Sequence, residues 1–389
     1  MNMLGQILAV TGMSLRSVPQ RLGSSLVVVI GMACAVGALV SILSMSAGFL
    51  RTMAATGSPM RAIILSDGAL GEWGSTLAHG QAATIADMPG VRRNSEGKPI
   101  VSADYVGYAV VPKKSDGLDA YLSVRGVSAE NPRLRPEIRL VSGRMFRPGQ
   151  YEIIVGRAAQ AQFDGLKEGD HVSMPAGDWL VTGTFESNGS ASESELYTDA
   201  ATLLSAMRTT NYNSMTVLLD APTSFARFKS ALTARPGPAL EISRENDYYA
   251  DQSKSFDEFL TTIAYVVGGI MGLGATFGAL NTMYSAVSAR AREIATLRAL
   301  GFGGGAVVTS VMVESLLFCL AGAGLGILFA LALFNGYQHA MGGLVIRLAV
   351  TAQLALTGAG FAVLLGIIGG LFPAIRAARM PVTDALRAT

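Results

Sequence analysis

Four long stretches nearly empty of charge constrain this chain more than anything else in it. Residues 22–49, 261–289 and 348–375 carry no charged side chain, and 302–334 carries only Glu314. A helix needs roughly 20 apolar residues to cross about 30 Å of hydrocarbon, and each stretch exceeds that. The first is also longer than the apolar core of a cleaved signal peptide, although Arg16 and Arg21 stand in front of it. Only 15% of the 389 residues are charged, whereas soluble domains run nearer 25%. Half of the residues are hydrophobic, which excludes disorder, and two cysteines exclude a disulfide scaffold. A net charge of +2 leaves no basic footprint for nucleic acid. The pattern is that of an integral membrane α-helical protein. It has four transmembrane helices, with a large mixed α+β extracytoplasmic domain between the first and second.

Arginine placement sets the orientation, because cytoplasmic flanks carry the excess of basic residues. Arg16 and Arg21 precede the first span with no acid before residue 49. Arg290, Arg292 and Arg298 lie between the second and third spans against one acid, Glu293, and Arg376, Arg379 and Arg387 follow the fourth against Asp384. Acids crowd the other side, at Glu245, Asp247, Asp251, Asp257 and Glu258. The reading is an amphipathic cytoplasmic segment over 1–21, spans at 22–49, 261–289, 302–334 and 348–375, and an external domain with its stalk over 50–260. A cytoplasmic segment at 290–301, a short external loop at 335–347 and a cytoplasmic tail at 376–389 complete it. Cys34 and Cys319 both fall inside spans.

Within the external domain, runs rich in β-branched and aromatic residues predict strands at 62–65, 105–111, 121–127, 152–155, 179–185 and 215–219. Helical patterns occupy 75–87, 157–163, 199–207 and 223–234, while 141–144 and 165–172 read as turns feeding strands. Residues 247–260 contain no Gly or Pro, so the second span is expected to extend outward as a stalk; 51–57 does the same for the first.

Chemistry of its own is hard to find in this sequence. His79, His171 and His339 lack any ligand-pair spacing, there is no GxSxG elbow, and no Walker A loop occurs. No catalytic residue and no bound cofactor are expected.

Three stretches carry a family resemblance. Residues 290–301 (RAREIATLRALG) resemble the REIa-LRAlG segment of the type VII ABC transporter permeases, the MacB/FtsX/LolC-like group. The end, 373–387 (PAIRAARMPVTDALR), resembles that family's tail. In the external domain VSGR at 141–144, EIIVG at 152–156 and WLVTG at 179–183 resemble the MacB periplasmic core. MacB itself has a fused ATPase domain; nothing comparable precedes Met1, so a separate ABC ATPase subunit is expected, binding the ATP and Mg.

The resemblance implies that 290–301 is a coupling helix docked on that ATPase through Arg290, Arg292, Glu293, Ile294, Leu297 and Arg298. Ile294, Leu297 and Leu300 would face inward and Arg290, Arg292 and Glu293 outward. The plain alternative is ordinary positive-inside arginines. Arg376 and Arg379 would touch the same ATPase. Asn281 and Glu314 stand out among the polar groups inside spans. A lone intramembrane acid is a candidate functional site, and the plainer alternative is packing or an anchor, bonded to Asn281 or to an arginine at the cytoplasmic edge. Gly268/Gly272, Gly274/Gly278, Gly322/Gly326 and Gly366/Gly370 permit close helix contact. A second permease copy or paralogue, a periplasmic adaptor protein and membrane lipid are the further partners implied. The expected work is ATP-driven mechanotransmission that exports or extracts substrate from the periplasm or outer leaflet of the bacterial inner membrane. The alternative is FtsX-like signalling to a periplasmic enzyme. A secondary transporter, with a charged midplane site, fits four such spans poorly.

Overall fold

The computed structural model describes residues 11–12, 22–175, 177–341 and 344–380. The expected segment 1–21, Thr11 and Gly12 apart, and the tail beyond Met380 lie outside the described residues. The chain divides into two compact units: Gly48–Asp257 with Gln338–Arg347, and the remainder.

In chain order, α1 (Leu22–Thr56) is followed by β1 (Arg61–Ser66), α2 (His79–Ala86), β2 (Val101–Pro112), β3 (Asp119–Val127), α3 (Asn131–Leu134), β4 (Arg139–Gly143) and β5 (Glu152–Gly156). Then come α4 (Arg157–Gln162), β6 (His171–Met174), β7 (Gly177–Glu186), β8 (Leu196–Asp199), α5 (Ala200–Ala206), β9 (Ser214–Leu218), α6 (Ser224–Thr233) and β10 (Leu240–Arg244). The chain closes with α7 (Glu245–Ala289), α8 (Ala291–Ala299), α9 (Gly304–Phe334), the hairpin β11 (Gln338–Met341) and β12 (Leu344–Arg347), and α10 (Ala352–Arg379).

One ten-stranded sheet runs β10-β1-β9-β2-β3-β8-β5-β7-β4, with β6 beside β7. It serves two cores. Ile64, Leu77, Ile85, Val217, Phe228 and Ile242 fill the first, under α2 and α6. Val124, Ile153, Phe163, Trp179, Val181 and Leu203 fill the second, under α4 and α5. The twelve-residue β2 links them: Val101–Asp104 pair with β9, and Tyr105–Pro112 pair with β3. At the changeover Val106 N–H donates to Asn213 Oδ1 at 2.8 Å, so the strand loses no backbone bond where its partner changes.

The three stretches that resembled a periplasmic core come together here. Gly143 lies opposite Gly183 where β4 pairs with β7, just after a bulge between Leu140 and Ser142. Gly143 has φ +72°, and a Cβ there would sit 2.2 Å from Thr182 O, so only glycine fits. Next to it Arg144 grips Glu152 in bidentate fashion, at 2.7 and 2.5 Å. Residues 141–144 thus close an edge strand rather than form a free turn. The expected strands are present; β6, β8 and β10 join them from segments with no strand signal.

In the other unit, α1, α7, α9 and α10 are long and apolar enough to cross a membrane. Val28, Met32 and Val36 of α1 pack with Ala275 and Ala279 of α7, Cys319 and Ala323 of α9, and Ala362 and Leu365 of α10. The core is built from small residues because lipid tails offer helices no hydrophobic reason to associate; close approach must supply the attraction. A Cβ on Gly326 would lie 2.5 Å from Ala33 O, and one on Gly322 the same distance from Val29 O. Gly366 and Gly370 similarly face Cys319 and Ser315, whose Oγ donates to Gly366 O at 3.0 Å. Gly274 by contrast faces no atom within 4 Å.

The helix α7 is 45 residues long, or about 68 Å at 1.5 Å per residue. Roughly 20 residues suffice for the hydrocarbon. Its polar half is continuous with the span because nothing between Glu245 and Ala289 is a proline.

The segment between α9 and α10 is not a simple loop. Residues Gln338–Arg347 pair as an antiparallel hairpin and belong to the sheet-containing unit. Val345 enters its second core and donates its N–H to Ser194 Oγ at 2.8 Å.

Candidate functional site

The short helix α8 turns after α7 with Arg290 as its N-terminal flank. Ile294 is buried with Met283 and Val287 of α7, Val307 and Val311 of α9, and Ala374 and Ala377 of α10. One apolar side chain therefore seats α8 against three spans. Its last turn is fixed by polar contacts: Arg298 Nη1 donates to Ala378 O at 2.7 Å and Met380 O at 3.0 Å. These carbonyls belong to the end of α10, where helical backbone leaves acceptors unpaired and a cation opposes the helix dipole. Arg376 lies over the Tyr284 ring, 5.4 Å from its centre.

Glu314 is 5% exposed, and Arg290 Nη1 reaches its Oε2 at 3.5 Å. Arg290 also meets Glu293, Nε to Oε2, at 3.2 Å. A lone acid at a span's centre costs roughly 2.5–3.5 kcal/mol, and pairing removes much of that.

Two expectations need correction. Arg290 does not project outward; it is 9% exposed and turns in, because Glu314 offers the nearest countercharge in an apolar setting. Leu300 is 73% exposed rather than inward, since the helix ends at Ala299 and the chain turns through Gly301 at φ +91°. Asn281 lies exposed on α7 and is not the residue that meets Glu314. Leu297 is half-buried; Arg292 and Glu293 are exposed and form the outward face of α8. Arg379 closes α10.

A second group of charges, brought together from distant parts of the chain, lies inside the sheet-containing unit. Glu245, the first residue of α7, is fully buried and takes Arg61 Nε and Arg135 Nη2, the latter at 2.7 Å. Arg61 Nη1 also meets Glu137 at 2.8 Å. Arg125 forms the other node: bidentate to Glu72 at 2.8 and 2.9 Å, and to Glu195 at 2.7 and 2.9 Å. Asp104 stands 3.5 Å from the same guanidinium and accepts from Ser102 Oγ. Burial opposes the Glu72 charge, but Arg125 and the hydrogen bond from Ser214 hold its carboxyl at about 2. Burial dominates at Asp104 and pushes its carboxyl up. Burial likewise raises the phenols of Tyr248 and Tyr249, keeping them neutral.

Two family models match. The description "MacB-like periplasmic core domain" covers residues 25–235, and "FtsX-like permease C-terminal" covers 265–382. The uncharacterized ABC transporter permease YknZ of Bacillus subtilis (strain 168) is 32% identical over 133 residues, 33% of this chain and 32% of that protein. The macrolide export ATP-binding/permease protein MacB of Shewanella sp. (strain ANA-3) is 32% identical over 127 residues, 33% of this chain and 18% of that protein. The matched segment thus spans under a third of these relatives' length. The periplasmic region of MacB from Actinobacillus actinomycetemcomitans superposes with a TM-score of 0.37 at 14% identity, over 53% of this chain and 97% of that one. The two family models, with four helices long and apolar enough to span, define a multi-pass membrane protein with a mixed-sheet extracytoplasmic domain between its first two spans. The chain belongs to the MacB/FtsX-like family of ABC transporter permeases.

Proposed function

We propose that this chain is the permease subunit of an ATP-driven transporter of the bacterial inner membrane that works by mechanotransmission. A separate ABC ATPase, holding ATP and Mg, docks on the outward face of α8 through Arg292 and Glu293. Arg376 and Arg379 extend the contact. Closure of a pair of ATPases under two permease copies, or a permease and a paralogue, shifts α8, and α7 carries the movement outward. Substrate is then taken from the periplasm or outer leaflet and passed to a periplasmic adaptor.

The observation that supports this is the way α8 is held. Arg290 ties its start to Glu314 of α9, Ile294 seats it among three spans, and Arg298 ties its end to α10. A push on α8 is therefore a push on the cytoplasmic end of the bundle. Co-purification in mild detergent tests the reading. An ABC ATPase should accompany the protein and be lost with Glu293→Lys, while Glu293→Gln, which keeps an acceptor for Arg290, separates docking from the hold on α8. Retention of an active ATPase by Glu293→Lys would refute the docking. An adaptor in the same pull-down supports export; a cell-wall hydrolase in its place would make the protein an FtsX-like regulator.

A further inference from the structure

The charge nodes of the external domain enclose a cavity of about 400 Å³. This falls within the roughly 300–1,000 Å³ of small-molecule sites. Its lining includes Glu72, Arg125, Glu195, Trp73, Tyr248 and Tyr249. The last two belong to the first turns of α7.

The charges around it do not balance evenly. Arg61 and Arg135 are matched by Glu137 and Glu245. Arg125 alone faces both Glu72 and Glu195, with Asp104 beside them. Arg125 has spent its N–H groups on these acids, so the wall it forms offers an anion nothing. The two carboxylates retain acceptor capacity and one uncompensated negative charge, a costly arrangement in a buried setting. Aromatic rings beside it favour a cation, whose charge their faces attract. A second feature calls for an acceptor on the same occupant. Arg135 also lines it, is 3% exposed, and its Nε has no hydrogen-bond partner, leaving one buried donor unspent. Inorganic ions fit less well, since no group of three or more metal-ligating side chains occurs among the described residues.

We propose that this cavity binds a small amphipathic amine bearing an oxygen acceptor. Its protonated nitrogen lies against Glu72 and Glu195, its apolar body against Trp73, Tyr248 and Tyr249, and its oxygen accepts from Arg135. Because α7 supplies one wall, an occupant braces the outer end of that helix. The inference does not depend on the export reading and is tested without an ATPase.

The full chain in detergent is titrated calorimetrically with phenylalaninol, with its deaminated analogue 3-phenyl-1-propanol and with Mg²⁺, against detergent blanks. Phenylalaninol should bind saturably with a Kd below about 1 mM, and the alcohol at least roughly tenfold more weakly. Glu195→Gln should weaken the amine about tenfold while keeping a hydrogen bond to Arg125. Trp73→Leu, at a half-exposed position, should weaken it severalfold. Equal binding of amine and alcohol, full affinity in both variants, displacement by millimolar Mg²⁺, or no saturable binding would each overturn the assignment.

Discussion

Arg135 Nη2 lies 2.7 Å from Glu245 Oε1, and both side chains are out of contact with water. The first residue of a 45-residue helix is thereby fastened inside the external domain. Removing one partner of a buried ion pair leaves the other uncompensated, at about 3–5 kcal/mol. Glu245→Ala should lower the stability of the external domain by that amount, read by denaturant unfolding through the fluorescence of buried Trp179. Glu245→Ala combined with Arg135→Met should recover part of the loss, the remainder reflecting Arg61, whose Nε also pairs with Glu245. A single-variant loss under about 1 kcal/mol would mean the pair is idle.

The second prediction concerns stiffness. Ser255 is exposed on α7, so replacing it changes the backbone and little else. Ser255→Pro removes one helical hydrogen bond and kinks the helix, at about 3 kcal/mol or more. ATPase binding and hydrolysis should persist while export in cells falls away. Full export at matched expression would show α7 to be a passive linker.

Acid should act through Glu72. Its carboxyl titrates at about 2 when folded against an ordinary 4.5, so the folded state binds this proton more weakly than the unfolded one. The resulting stability is complete above pH 4.5 and is lost as pH falls toward 2. Glu152, held down chiefly by its hydrogen bonds from Arg144, adds in the same sense. The unfolding temperature of the external domain should fall between pH 5 and 2, and Glu72→Gln should flatten that slope. An unchanged slope in the variant would remove Glu72 from the account.

Topology is checked by labelling single cysteines with an impermeant maleimide in intact cells. Ser115→Cys, exposed in the external domain, should react from outside; Ser288→Cys, exposed beside α8, should react only after permeabilisation. The opposite pattern would invert the orientation.

The spans were legible because a continuous apolar run has few other uses, and most strands because β-branched residues cluster in them. The exceptions have physical reasons. The segment LYTD of β8, at four residues, is too short to carry a strand pattern of its own; its place is fixed by β3 on one side and β5 on the other. VSGR reads as a turn, yet pairing with β7, through a bulge between Leu140 and Ser142, makes it an edge strand. At α8 the short polar segment between two spans is visible in the sequence, but the inward turn of Arg290 depends on an acid 24 residues further on. The joint between Arg61 and Glu245 spans 184 residues, a distance no local pattern reports.

The hairpin at Gln338–Arg347 means that the external domain is assembled from two pieces of chain rather than inserted as one. Laboratory excision at Asp257, which the order of the spans would suggest, discards the residue that fills part of the second core. A soluble fragment of residues 48–257 should expose the seat of Val345 and leave Ser194 Oγ without the N–H it accepts. It should be less stable and more prone to aggregate than a fragment in which residues 338–347 are restored through a flexible linker. Matched melting curves of the two fragments measure what the hairpin contributes.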